Sequence, residues 1–409
     1  MNPRRRPVRR AALAGRLAAG LALPWAASGL LALEAGAADV SIKSSVTETV
    51  NYNDNLNLRV NDPQEGYGAI TDLSVHLLAN LPTVSYGLDS NMSFQRYGGE
   101  GATDGYDSTQ GGAGFTIAKK TKLTDYDLKG RVQVQPTSVS ELEDSGLTIL
   151  DATRFSTSAG IAIEHRVNQR NSLNWSVSGA TVDFSGSASS LTPYQSVDVS
   201  TGWRHNVSQL TSVGLNLGSR WFKADNAQDR ESITGRITAS LDTKLSPRLN
   251  VGGSAGVGLV HNAFLVTAAA GQVRRNETDV SFLADLKVGY DLKDVQLSLN
   301  ASQSIEPSSL GELQTRSSIS FSTRYRVNSK SSLGLSSSVS LQQSQGSAAS
   351  GTAGTDRTLF QITPSYSYRF TRNWNANLSY NFVFEDQPTG SATSNSVRLG
   401  VTRDILLLP

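Results

Sequence analysis

The stretch Ser45–Val60, SVTETVNYNDNLNLRV, changes character at every residue. Its even positions read Val46, Glu48, Val50, Tyr52, Asp54, Leu56, Leu58 and Val60, while its odd positions are all Ser, Thr, Asn or Arg. A repeat of two is the period of a β-strand, whose successive side chains point to opposite faces, so one face is apolar and the other wet. The wet face carries Thr47, Thr49, Asn51, Asn53, Asn55, Asn57 and Arg59. Two acids, Glu48 and Asp54, interrupt the apolar face and require an account.

The alternation recurs down the chain. Tyr126, Leu128, Val132 and Val134 form one apolar series, with Asp125, Asp127, Lys129, Arg131 and Gln133 between them; Ile233, Ile237, Ala239 and Leu241 form another, and Trp374 to Phe384 a third. Short turn-forming segments fall near 82, 119, 168, 206, 245, 292, 328 and 371. Longer stretches at about 61–68, 98–112, 137–150, 185–193, 223–231, 260–277, 306–313, 344–356 and 385–395 read as loops. Segments of about ten alternating residues separated by turns are what a membrane-crossing strand requires. The pattern predicts an all-β protein: a transmembrane up-and-down antiparallel β-barrel of about 18 strands over residues 44–406, with a polar lumen. Hydrophobic residues make up only 38% of the chain, which suits a thin apolar outer band better than a thick core. A β-sandwich would have to bury its apolar face against a second sheet. Propeller blades usually carry four strands, whereas the period here holds two.

Residues 1–37 read differently. Arginines at 4, 5, 6, 9 and 10 precede an apolar run and the small residues Ala35-Gly36-Ala37, the pattern of a cleaved signal peptide. A retained anchor is the other reading, but Arg16, Pro24 and Glu34 break the segment short of an uncharged span. Residues 38–409 are then a single barrel domain placed in a Gram-negative outer membrane, in contact with its lipid and lipopolysaccharide and inserted by the barrel-assembly machinery. Without residues 1–37 the chain has 31 basic and 34 acidic side chains, so nothing points to nucleic acid. The absence of cysteine excludes disulfides and thiolate metal sites.

The short turns share a local text. HRVNQRNSL, YRVNSKSSL and YRFTRNWNANL each run from an aromatic or His through Arg and an apolar residue into a polar turn. His165, Trp203, Tyr290, Tyr325, Tyr368, Phe370 and Trp374 are thereby placed near one rim, and Trp221, Phe184 and Phe384 near the other, as two aromatic girdles. Chemistry-bearing motifs are few. His76, His165, His205 and His261 show no metal-ligand spacing. Asp72 and His76 lie four apart on one strand, about 13 Å, too far for a Ser-His-Asp relay of their own. No cofactor, metal or enzymatic activity is expected.

The opening stretch, with Ser45, Glu48, Asp54, Asn55, Asn57 and Leu58 at their spacing, resembles the mature N-terminus of the outer-membrane family called putative β-barrel porin 2, which includes barrels associated with exopolysaccharide and PEP-CTERM loci. The resemblance implies an 18-stranded barrel that works with a periplasmic polysaccharide export protein and carries the polysaccharide across the outer membrane. On that reading Asn51, Asn53, Asn55, Asn57, Arg59, Asp125, Asp127, Lys129, Arg131 and Gln133 line the polymer's path, offering sugar hydroxyls many weak hydrogen bonds. A general or substrate-selective porin for small solutes and a surface adhesin are the alternatives. No loop shows an obvious charged constriction sequence. For the two acids, barrel closure predicts that Glu48 and Arg403 meet as an opposite-charge pair across the seam, and that Asp54 is covered by a loop or a partner.

Overall fold

The computed structural model describes residues 39–99, 107–144, 152–186, 190–268, 271–344, 356–388 and 390–408. The segment read as a signal, 1–37, lies outside them. Eighteen strands follow one another: β1 (Asp39–Asn53), β2 (Gly66–Asn80), β3 (Val84–Gly98), β4 (Ser108–Lys120), β5 (Thr124–Pro136), β6 (Ala152–Arg166), β7 (Asn171–Gly186), β8 (Tyr194–Asn206), β9 (Thr211–Ala224), β10 (Glu231–Ser246), β11 (Leu249–Ala268), β12 (Gly271–Asp291), β13 (Val295–Pro307), β14 (Leu313–Arg326), β15 (Ser331–Ser344), β16 (Arg357–Arg369), β17 (Trp374–Gln387) and β18 (Gly390–Leu408). One short helix, α1 (Thr137–Glu143), sits between β5 and β6. Every strand is antiparallel to its chain neighbours, and β1 pairs with β18, so the sheet closes. Closure joins the first strand to the last and so removes the two terminal edges that a membrane would penalise.

The two phases behave as the alternation requires. Val50, Leu217, Phe282 and Leu399 stand on the outside, and Val280 is 68% exposed. So much bare apolar surface is untenable in water and is what hydrocarbon demands. The inward phase is laced by hydroxyl pairs between neighbouring strands, such as Ser45–Ser74 at 2.7 Å, Thr47–Thr402 at 2.8 Å and Ser298–Ser322 at 2.8 Å. These pairs satisfy small polar side chains without charge.

The eight short turns all lie at one end, where Asn168 and Asn328 each use their side-chain oxygen to accept two backbone N–H groups of their own turn. That is the Asx-type turn implied by the repeated VN text. Each turn also gives its last carbonyl to the N–H beside the next: Thr83 to Lys120, Leu123 to Arg166, Arg170 to Asn206, and so on to Asn373 and Asp404.

Three stretches depart from the expected pattern. β1 stops at Asn53, and Leu58 and Asp62 adopt positive φ values of 49° and 58°, so residues 54–65 form a loop and the alternation of Leu56, Leu58 and Val60 is not strand pairing. Residues 260–277, read as a loop, are largely strand, since β11 and β12 stay paired out to Ala268 and Gly271. Likewise β17 and β18 remain paired to Gln387 and Gly390, where 385–395 was expected to be loop. The lumen is also not polar throughout. Val182, Tyr194, Phe222, Val260, Leu283, Ile305 and Leu313 pack together inside the outer half of the barrel.

Candidate functional site

The strongest concentration of buried charge lies inside the outer half of the barrel, where two segments fold inward. Pro136 ends β5, since it has no N–H for the ladder, and the chain turns into α1. Thr137 and Glu141 of this helix are fully buried. The second segment is the connection from β13 to β14, whose Ser308 and Ser309 are also fully buried and whose tip is Gly311, at φ 80°. A side chain there would strike Asn226 and Thr192 within 3 Å, so the tip requires glycine.

The two segments are joined to each other and to the wall. Arg154 on β6 donates to Glu141 at 3.3 Å and to Asp144 at 2.9 Å, and its other terminal nitrogen donates to the Tyr194 hydroxyl at 3.0 Å. Glu141 also accepts a hydrogen bond from the Ser309 hydroxyl, which ties the helix to the β13–β14 tip. The Ser309 carbonyl accepts from the Thr192 N–H at 2.7 Å, and Gln314 donates to the Asp144 carbonyl at 3.3 Å. On the other side of the tip Glu312 pairs with Arg230 at 3.4 Å, whose guanidinium lies 4.9 Å from the centre of the Phe264 ring. Arg357 and Glu385 form a further buried pair between β16 and β17. Burial, reinforced by the neighbouring Glu141 carboxylate, pushes the Asp144 carboxyl up to about 6 despite Arg154 beside it. The result is a narrowing built of fixed charges of both signs, drawn from separate segments none of which is an obvious charged constriction in its own sequence.

The residues expected to line the path divide between the inner wall and the first loop. Asn51 and Asn53 are on the inner face of β1; Asn51 donates to the Tyr97 hydroxyl at 3.4 Å, and Asn53 accepts from Ser394 at 2.8 Å. Asn55, Asn57 and Arg59 belong to the first loop and not to a lumen-facing strand. Asp125, Asp127, Lys129, Arg131 and Gln133 share the inner phase of β5, opposite the exposed Tyr126 and Leu128. Asp125 pairs with Arg166, and Asp127 with Lys129 at 3.0 Å. These residues line the wall without converging on one point. The narrowing is made instead by Glu141, Asp144, Arg154, Tyr194 and Ser309, which strand alternation does not single out.

Glu48 and Arg403 do lie on adjacent strands across the seam, but the register sets Val46 against Arg403 and Glu48 against Val401. They form no ion pair: Glu48 accepts from Thr71 at 2.9 Å, and the Arg403 guanidinium lies 5.5 Å from the centre of the Trp374 ring. A guanidinium over an indole face is itself attractive and keeps its charge hydrated. Asp54 is held by Asn395, whose backbone N–H and side-chain amide each donate at 2.7 Å. Of the residues expected to form aromatic girdles, Trp203, Tyr290, Tyr325, Tyr368 and Trp374 stand near strand ends beside short turns, and Trp221 stands towards the opposite end of β9, donating to Glu231 at 2.7 Å.

The apolar outside, the closed wall and the wet inner phase together define the location. The chain is an outer-membrane β-barrel. No family model matches it, and no curated protein does. Among solved structures, it is similar to a BenF-like porin from Pseudomonas fluorescens Pf-5 at 11% identity, covering 90% of this chain and 99% of that one with a TM-score of 0.46. It is similar to the outer membrane protein opdK from Pseudomonas aeruginosa at 13% identity, with coverages of 90% and 99% and a TM-score of 0.45. The likeness to Acinetobacter baumannii OccAB2 is at 13% identity, with coverages of 90% and 98% and a TM-score of 0.46. Similarity at this level does not bear on what passes through the barrel.

Proposed function

We propose that the protein is a channel for small hydrated solutes, selected at the charged narrowing by size and by their polar contacts. The observation that carries this reading is the junction of Glu141 with Arg154 and Ser309, which fixes two inward segments across the lumen by buried contacts. A long polymer needs an unobstructed bore and shallow interactions along it. A small solute needs only a gap between fixed charges, and fixed charges in a water-poor space discriminate strongly among such solutes. The polysaccharide route implied by the N-terminal resemblance would require both segments to leave the lumen together.

The test is conductance and solute entry in vesicles containing the purified full chain. Arg154→Gln removes one partner of a buried pair, a change that costs about 3–5 kcal/mol and should free α1 from the lumen. The expected outcome is low conductance and monosaccharide entry for the unmodified protein, and higher conductance with entry of longer oligosaccharides for the variant. Free passage of long polysaccharide through the unmodified protein, with no dependence on Arg154, would overturn the proposal in favour of the conduit.

A further inference from the structure

One stretch of the wall is not sealed. β12 spans Gly271–Asp291, yet it pairs with β13 only over Ala284–Asp291, the last rung being Ala284 opposite Gln303. Beyond that rung β12 is bonded to β11 alone. β13 parts from β12 at this point while staying paired with β14 out to Pro307 and Leu313, and it bends towards the lumen, where the Ile305 carbonyl accepts from Arg220 of β9 at 2.7 Å. Continued register would set Ser304 against Leu283 and put Ile305 outside with Phe282. Instead Ile305 is buried in the inner apolar cluster with Leu283. β14 stays in the wall, paired with β15 out to Gln314 and Ser344.

The break is at membrane depth. Val280 and Phe282, on the free part of β12, are 68% and 55% exposed on the outer face. An unpaired backbone edge facing hydrocarbon is costly, and closed barrels exist to avoid it. The break is trimmed by a side chain: Gln303 donates its amide to the Phe282 carbonyl at 3.0 Å, replacing one ladder bond where the ladder stops. A hollow lies on each face at this place. The inner one, about 260 Å³, is lined by Arg220, Arg236, Ile305 and Glu306 among others. The outer one, about 420 Å³, is lined by Leu286, Ala301, Ile319, Val339 and Leu341. They share Ser254, Ala284, Asp285, Ser302 and Gln303, so a single layer of chain separates them where its pairing ends.

We infer that this break is a lateral port, through which a single-chain amphiphile with an uncharged or zwitterionic head passes between the lumen and the outer leaflet. The apolar outer hollow and the adjoining Leu283 and Ile305 suit an alkyl or acyl chain. The head is set by charge balance around the inner hollow: Arg220 and Arg236 share Asp198, Asp285 pairs with Lys287 at 3.2 Å, and Glu306 accepts from Ser304. Those groups balance, so a head of net charge would meet no compensating partner. The inference goes beyond the axial small-solute route and does not require it.

The experiment uses the full chain in phosphatidylcholine vesicles with an alkyl phosphocholine carrying a photoreactive diazirine at the end of its chain. After irradiation, labelled residues are mapped by mass spectrometry. Tags are expected on the inward-facing Leu283, Ser304 and Ile305 as well as on the lipid-facing Ile319 and Leu341. Ala301→Phe, which fills the outer hollow, should abolish the inner tags and leave the outer ones. Tags confined to lipid-facing residues of the unmodified protein, or inner tags indifferent to Ala301→Phe in a variant that keeps its heat-resistant gel mobility, would overturn the port. Monosaccharide entry measured on the same vesicles reports the axial route separately.

Discussion

Asn55 shows what the N-terminal text does physically. Its amide nitrogen donates to the Arg59 and Thr393 carbonyls, each at 2.9 Å, and its amide oxygen accepts from the Arg59 N–H at 2.9 Å. Next to it Asp54 binds Asn395, so NDN closes the first loop upon itself and fastens it to β18. This also explains the acid that strand alternation placed towards lipid: the strand has ended one residue earlier, and Asp54 meets hydrogen-bond donors. Replacing Asn55 with Ala leaves three backbone groups without their partner and should cost about 1–3 kcal/mol locally. The expected outcome is faster protease cleavage within residues 54–65 of the folded protein, with the barrel's heat-resistant gel mobility retained. Cleavage unchanged from the unmodified protein would contradict this role.

At the scale of elements, the sequence makes the connections visible but not their direction. The text after Pro136 is plainly not strand, yet period-two reasoning says only that residues 137–150 connect two strands. Whether such a segment rises into solvent or folds inward depends on contacts from the nearby Arg154 and from Tyr194, Ser309 and Gln314, which lie farther along the chain. Local periodicity carries no information about such meetings, so the narrowing was not legible in advance. Once docked, α1 has a pH signature opposite to that of a simple salt bridge. The Asp144 carboxyl sits at about 6 against 3.8 for a free one, because burial and Glu141 outweigh Arg154 and the more distant Arg316. Docking therefore binds a proton, and its stability is greatest at low pH and falls as pH rises through that window. Hydrogen exchange at 137–144, corrected for its intrinsic pH dependence, should be slower below this value than above it. Asp144→Asn should keep exchange slow at both, whereas loss of protection on acidification would refute the argument.

Across the whole molecule, the barrel was the most legible feature, because every strand states its inner and outer face in its own alternation. Its closure and its 18 strands follow from counting turns. What the alternation misses are long hairpins such as β11–β12, whose outer parts rise past the apolar band and lose the apolar phase while keeping their pairing. The two faces should respond differently to the same charge. Leu399→Arg puts a guanidinium into hydrocarbon near the middle of β18, at about 2–4 kcal/mol. Asn377→Arg, on the inner phase of β17 beside Ser367, should cost far less. Denaturant unfolding in vesicles, followed by tryptophan fluorescence, measures both, and equal losses would mean that the faces have been assigned wrongly.

The chain of carbonyls linking one short turn to the next has a consequence for how the barrel is made. Each link joins a finished hairpin to the strand that follows it, from Thr83 and Lys120 through to Asn373 and Asp404 of the last strand. A growing sheet therefore carries an unfilled turn carbonyl at the end of its edge strand's row of unpaired groups, and the arrival of the next hairpin both fills it and exposes another. The same main-chain link recurs at every turn, so growth by hairpins repeats one equal step, each newcomer closing the carbonyl its predecessor left open.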